Sequence, residues 1–240
     1  MHAVIIAAGL GNRLGRLTKD RPKALVPVAG RELILRALDA IDHPAIRQKT
    51  VVTGYHGDRL RNFIENTCDD VETVNNPNYE DGSIRTIETV LPLVTGDFLL
   101  MNVDHIYPKK LIAHVIANLN GLTAICDFDR TLGPDDMKVK LDDAGKIKGI
   151  KKTLSDYTCG YIGMTHCPSE SLAAYRRAVA AARAKYGDSA NVESALAFLA
   201  EESFPINVCD ASGIGWLEVD TPLDLARAEA ALNDNPEFLR

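Results

Sequence analysis

Five cationic side chains, Arg13, Arg16, Lys19, Arg21 and Lys23, fall in the stretch "AAGLGNRLGRLTKDRPKAL" (7–25) against a single acid, Asp20. Gly9, Gly11 and Gly15 are interleaved with them. Glycine permits positive φ and lets the backbone approach a ligand closely. Successive loop N–H groups form an anion-binding concavity, and arginine and lysine beside it suit phosphate oxygens. A P-loop needs G-x-x-x-x-G-K-[ST], and no such string occurs. A dinucleotide loop needs G-x-G-x-x-G; here Gly15 stands one place late and Arg13 sits inside the turn. A nicotinamide-dependent oxidoreductase is weakened by this but stays open. Two carboxylates complete the set. Asp104 ends the apolar run "FLLMNVD" and Asp220 ends "WLEVD", and the carboxyl ends of parallel strands are where such sheets bind ligands. The histidines show no zinc-ligand spacing, and no G-x-S-x-G elbow is present.

Short apolar runs alternating with helical periodicity must position these groups. "AVIIAA" (3–8), "TVVT" (50–53) and "DFLLMNV" (97–103) are continuous apolar runs, as expected of central strands covered on both faces. Helices are predicted over 32–41, 57–67 and 83–94 from their apolar spacing. "LTAICDF" (122–128) reads as a strand, "MKVKLDDAGKIKGIKK" (137–152) as a hairpin, and "TCGYIGM" (158–164) as a strand beside it. A helix capped by Ser169 and stopped by Gly187, a second helix over 191–203, strands in "INVCDA" and "GIGWLEVD", and a last helix opened by Thr221-Pro222 follow. The expected fold class is α/β: a Rossmann-like mixed, mostly parallel sheet flanked by helices, with a small β subregion. One domain over 1–240 is expected, with a nucleotide-binding half (1–120) and an acceptor-binding half (121–240).

A net charge of −6 argues against a general nucleic-acid binder. The five cysteines are widely spread and form no C-x-x-C pair, which predicts reduced thiols and a cytoplasmic protein. No apolar stretch reaches membrane-spanning length, so no membrane insertion is expected. The oligomeric state is left open.

The longer stretch "AAGLGNRLGRLTKDRPKALVPVAGRELI" resembles the opening of the nucleotidyltransferases that make sugar nucleotides and related activated alcohols. The likeness rests on Gly9 and Gly11, then Arg13, then Pro22-Lys23. It implies nucleotide binding by Ala7, Ala8, Gly9, Gly11, Asn12, Arg13 and Lys23, with Arg13 and Lys23 as the catalytic cations that neutralise a departing pyrophosphate. Such chemistry takes a divalent metal, and Mg²⁺ with Asp104 and Asp220 as ligands is expected.

Within that family the chain is most similar to small cytidylyltransferases, first those acting on inositol 1-phosphate and next those acting on phosphocholine. "NNPNYEDGSIRTIETV" (75–90) resembles their segment in which Gly82-Ser83 opens a helix against the base. "VDHIY" (103–107) and the 137–164 hairpin region resemble theirs too, implying acceptor contacts from His105 and Lys138. CTP as donor and a phosphorylated alcohol, inositol 1-phosphate, as acceptor are the expected ligands, with phosphocholine, aminoethylphosphonate and sugar 1-phosphates as alternative acceptors. Lys151 and Lys152 read as a solvated hairpin edge. A non-catalytic regulatory relative is the remaining rival, and the intact set Arg13, Lys23, Asp104 and Asp220 argues against it.

Overall fold

The run His2–Ala7 is buried at every position. With neither face left polar, such a strand needs neighbours on both edges and a covering layer on both sides. In the computed structural model, which describes residues 1–240, it is an interior strand of a nine-stranded sheet. In chain order the strands are β1 (His2–Ala7), β2 (Pro27–Val28), β3 (Arg31–Glu32), β4 (Gln48–Thr53), β5 (Glu72–Asn75), β6 (Phe98–Asn102) and β7 (His105–Ile106). They continue as β8 (Thr123–Asp127), β9 (Lys138–Leu141), β10 (Ile147–Lys151), β11 (Cys159–Cys167), β12 (Asn207–Asp210) and β13 (Leu217–Glu218). The helices are α1 (Leu33–Ala40), α2 (Gly57–Thr67), α3 (Ile84–Val90), α4 (Lys109–Ala117), α5 (Leu172–Tyr186), α6 (Ser194–Glu201) and α7 (Pro222–Asp234).

β1 pairs in parallel with β4 and β6, and β5 extends the sheet in parallel beyond β4. Past β6 the sheet turns antiparallel through β11 and β8, with β12 parallel to β8. The β9–β10 hairpin joins the first residues of β11. Strands from both halves of the chain share this one mixed sheet. Alternate residues of β1 divide between two cores, as a two-residue period requires. Val4 and Ile6 pack with α3, α5 and α6, while Ala3, Ile5 and Ala7 pack with α1, α2 and α4.

The expected fold class holds, and the element boundaries shift for local reasons. Pro92 cannot continue an α-helix, so 83–94 becomes α3 followed by the 3₁₀ turn Leu91–Leu93. Ser169 starts a 3₁₀ turn rather than capping α5, which begins at Leu172. Of "GIGWLEVD" only Leu217–Glu218 pairs, and with β7 rather than the main sheet. All five cysteines are free thiols. No helix is long and apolar enough to cross a membrane.

Two histidines on the sheet are held neutral. His2 hydrogen-bonds Thr50 at 2.8 Å and His166 Nδ1 donates to the Gly121 carbonyl at 3.1 Å. Burial pushes both below the ordinary histidine value of 6.5. Below that value the unfolded chain binds protons that the folded chain resists, so stability rises with pH there and is lost as pH falls. The contribution of His2 and His166 to the urea midpoint is therefore expected to drop between about pH 7 and pH 5.5, opening at the ordinary histidine value. His166→Gln should shallow that slope; an unchanged slope would remove His166 from the account.

Candidate functional site

The in-register parallel pairing of β1 with β6 sets Ile6 opposite Asn102, so both strands end on one edge of the sheet. From there the chain after β1 enters the glycine-rich loop, and the chain after β6 reaches Asp104 within two residues. Val103 N–H donates to the Ile6 carbonyl at 3.1 Å and ties the two exits together. The β7–β13 pair then delivers the second carboxylate. Glu218 lies opposite His105, and Val219 N–H donates to the Asp104 carbonyl at 2.9 Å, which puts Asp220 beside Asp104. A capping box between Thr221 and Asp224 starts α7 immediately afterwards and fixes the exit direction.

The loop is fixed by packing and by one backbone requirement. Gly11 has φ +65°, and a Cβ there would stand 3.0 Å from Thr18 Cγ2 and 3.1 Å from Lys23 Cβ. Thr18 Oγ1 donates to the Gly11 carbonyl at 2.9 Å. Leu14 is buried with Val26, Val28, Ile106, Val219 and Leu232 beneath the loop, while Arg13 beside it stays exposed. Residues 12–18 form a 3₁₀ turn kinked at Gly15, and no α-helix begins before Leu33. That disposes of the dinucleotide reading, which needs a helix N-terminus at the glycine loop.

The ammonium of Lys23 lies between the two carboxylates. It is 2.7 Å from Asp104 Oδ2 and also bonds Asp220 Oδ1. Arg13 Nη2 is 2.5 Å from Asp220 Oδ2, and His105 Nδ1 is 2.8 Å from Asp104 Oδ1. Burial alone would raise the Asp104 carboxyl, but the charge of Lys23 and the His105 hydrogen bond outweigh it and hold it far below the usual carboxylate range. Burial opposes the Lys23 charge too, and the two aspartates overcome it, raising its pKa. His105 follows the same pattern: burial lowers it and Asp104 more than restores it.

A cleft of about 370 Å³ opens over this network, lined by Ala7, Gly9, Gly11, Asn12, Arg13, Lys23, Ser83, Asp104 and Asp220, with Tyr79, Asn102 and Glu193. A second chamber of about 210 Å³ adjoins it, sharing Arg13, Ser83, Asn102, Asp104, Glu193 and Asp220. Most of the expected site residues therefore converge. Ala8 does not reach the cleft; it is buried, and its carbonyl accepts from Tyr55 N–H at 3.0 Å. Gly82 lies outside as well, and a Cβ on it would stand 2.6 Å from the Asp188 carbonyl and 2.8 Å from that of Ala190. His105 faces the second chamber, but its ring is stacked against Tyr107 and Trp216 and its Nδ1 is committed to Asp104.

Lys138 requires correction. Its ammonium donates to the carbonyls of Gly133 (2.7 Å), Lys152 (2.9 Å) and Asp136 (3.4 Å), which uses all three of its donors, and it lines neither cavity. The lysine that lines the second chamber is Lys152, which the hairpin pattern marked as an edge residue. Glu193 and Glu218 were also missed. Burial raises both carboxyls; at Glu218 the charge of His105 opposes that rise while Asp104 and Asp220 add to it. Glu218 had a signal: two residues before Asp220 on an extended strand, it shares that residue's side.

Residues 3–202 match the MobA-like NTP transferase domain. The chain belongs to this family. Membership places it among nucleotidyltransferases rather than among dinucleotide-dependent oxidoreductases. It is 30% identical over 232 residues to a bifunctional IPC transferase and DIPP synthase of Thermococcus kodakarensis, covering 96% of this chain and 50% of that protein. It is 29% identical over 237 residues to a protein of the same description from Aquifex aeolicus, covering 96% of this chain and 51% of the other. The chain thus spans about half the length of these relatives. Among solved structures, the inositol-1-phosphate CTP transferase of T. maritima superposes with a TM-score of 0.81 at 18% identity, over 99% of this chain and 95% of the other. The CTP:phosphocholine cytidylyltransferase of Streptococcus pneumoniae gives 0.73 at 20% identity, over 96% and 98%. At these identities the superpositions show a shared fold.

Lys23→Met leaves two neighbouring, mostly buried carboxylates without their bridging cation. The expected loss of stability is on the order of 3 kcal/mol at neutral pH. Adding Asp220→Asn should return part of it. Urea denaturation of the two single variants and the double variant checks this, and strict additivity would show that the three groups do not act together.

Proposed function

We propose that the chain is a Mg²⁺-dependent cytidylyltransferase that transfers CMP from CTP to a phosphorylated alcohol, inositol 1-phosphate, and releases pyrophosphate. The observation that carries this reading is the convergence of Arg13, Lys23, Asp104 and Asp220 where a glycine-lined cleft meets a second chamber. Loop N–H groups at 9–13 cradle the triphosphate. Arg13 and Lys23 bind its non-bridging oxygens and take up the charge that develops on the leaving group. An oxygen of the acceptor phosphate forms a bond to the α-phosphorus as the bond to the bridging oxygen breaks. The acceptor is already an anion, so no general base is needed and His105 orients Asp104 instead.

The residues present suit a hard divalent cation. One ammonium already contacts both carboxylates, so a single positive centre can engage oxygens of each, and carboxylate oxygens are what Mg²⁺ prefers. Asp104 and Asp220 would hold it, where it supplies charge stabilisation to phosphoryl oxygens.

The second chamber suits the acceptor. Lys152 offers positive charge for its phosphate, while Asp135, Glu193 and Glu218 offer acceptors for hydroxyl groups. A polyol therefore fits better than a quaternary ammonium, which calls for open aromatic faces. The Trp216 ring is already engaged: His105 stacks on it at 5.1 Å and the Arg130 guanidinium lies 3.9 Å from its ring centroid. Relatives named for IPC transfer and a solved neighbour named for inositol-1-phosphate CTP transfer support the same choice.

Pyrophosphate release is the test, with the four nucleoside triphosphates set against inositol 1-phosphate, phosphocholine, aminoethylphosphonate and hexose 1-phosphates. CTP with inositol 1-phosphate should give the highest kcat/KM. Asp104→Asn and Asp220→Asn should each lower it at least about a hundredfold under Mg²⁺, roughly 3 kcal/mol of transition-state stabilisation. Near-normal turnover in both variants would sink the metal assignment, and a different preferred pair would replace the acceptor or the base.

A further inference from the structure

Between β8 and β9, residues 128–137 form neither helix nor strand, and the last three of them, Asp135, Asp136 and Met137, line the second chamber. Besides the hydrogen bonds that tie Phe128 and Asp129 to residues 212–213 and Met137 to Tyr161, three further contacts hold the segment. Asp127 Oδ1 accepts from the N–H groups of Asp129 (3.0 Å) and Arg130 (3.2 Å), while its Oδ2 accepts from Trp216 Nε1 (2.8 Å). Leu132 rests on Gly160 of β11, so closely that a Cβ at 160 would stand 2.5 Å from it. The third contact is Lys138, buried to 7% exposure, whose ammonium joins the carbonyls of Gly133 and Asp136 to that of Lys152. Asp136 is also used within the loop, accepting from Gly133 N–H at 2.6 Å. Asp135 makes no ion pair or side-chain hydrogen bond, is exposed, and lines the chamber.

A lysine ammonium has three donors and no acceptor. Here all three are spent on main-chain oxygens from two separate segments, and both segments line the same chamber, one through Asp135, Asp136 and Met137 and the other through Lys152. We propose that Lys138 is a positioning residue for acceptor recognition: its ammonium clips loop 128–137 to residue 152, aiming Asp135 at the acceptor's hydroxyl groups and Lys152 at its phosphate. This rests on the reading of the second chamber as the acceptor site. Lys138 itself touches no substrate. Its removal should loosen acceptor binding and leave the nucleotide side, built on 9–23, as it was.

Two readouts test this on the full chain. By hydrogen–deuterium exchange, Lys138→Met should exchange faster over 128–137 and around 152, with 9–23 unchanged. In steady-state kinetics it should raise the acceptor KM by roughly tenfold, the worth of one hydrogen bond to a charged group, with kcat and the CTP KM nearly unchanged. Lys138→Arg should recover only part of the loss, because a planar fork does not match three converging carbonyls. Asp135→Asn should raise the acceptor KM without changing exchange. If Lys138→Met fails to fold, Lys138→Gln is read the same way. Unchanged exchange over 128–137 overturns the proposal, as does a parallel rise in both KM values; an unchanged acceptor KM in Asp135→Asn overturns the aim assigned to that residue. If inositol 1-phosphate gives no pyrophosphate, the acceptor reading fails separately. The kinetics then use whichever phosphorylated alcohol turns over, and if none does the exchange result alone decides.

Discussion

The bridging of Asp104 and Asp220 by one ammonium is the interaction on which the rest of the site depends. Two carboxylates this close repel, and partial burial strengthens the repulsion. Positive charge between them offsets that repulsion. The fold supplies it from residue 23, on a 3₁₀ turn opened by Pro22, and reinforces it with Arg13. A place that demands a cation in the free protein is chemically ready for a metal and a polyphosphate, which together bring both signs of charge.

The same constraint explains an otherwise odd piece of topology. The two-residue strands β7 and β13, the first buried and the second half-buried, pair only with each other. Their role is registration: they fix Asp220 against Asp104 across more than a hundred residues of sequence, and α7 locks the exit. On the other side, the parallel pairing of β1 and β6 aligns the glycine loop with the same carboxylates. The two cavities are then openings onto one charged centre, differing in what lines them farther out.

Legibility in the sequence followed the range of the forces involved. The central strands and the loop Gly9–Arg13 were readable because burial and positive φ leave local traces in residue type. Asp104 and Asp220 were readable because each closes an apolar run. Lys138 and Lys152 were exchanged, since alternation along a hairpin states which side a lysine takes and not whether backbone carbonyls await it there. Glu193 gave no warning: it opens α6, and its place in the cleft depends on how α5 and α6 pack on the sheet. Tyr79 and Asn102 likewise enter the cleft through tertiary arrangement alone.

Trp216 is the sole tryptophan of the chain, and its surroundings are those of the chamber itself. Its ring lies against His105 and beneath the guanidinium of Arg130, and its N–H is held by Asp127. Indole emission is quenched and shifted by neighbouring imidazole and charge, so this one chromophore gives the protein an intrinsic optical signal from the place where loop 128–137 meets the carboxylates. No label has to be introduced to watch that region in solution, and no second indole contributes background.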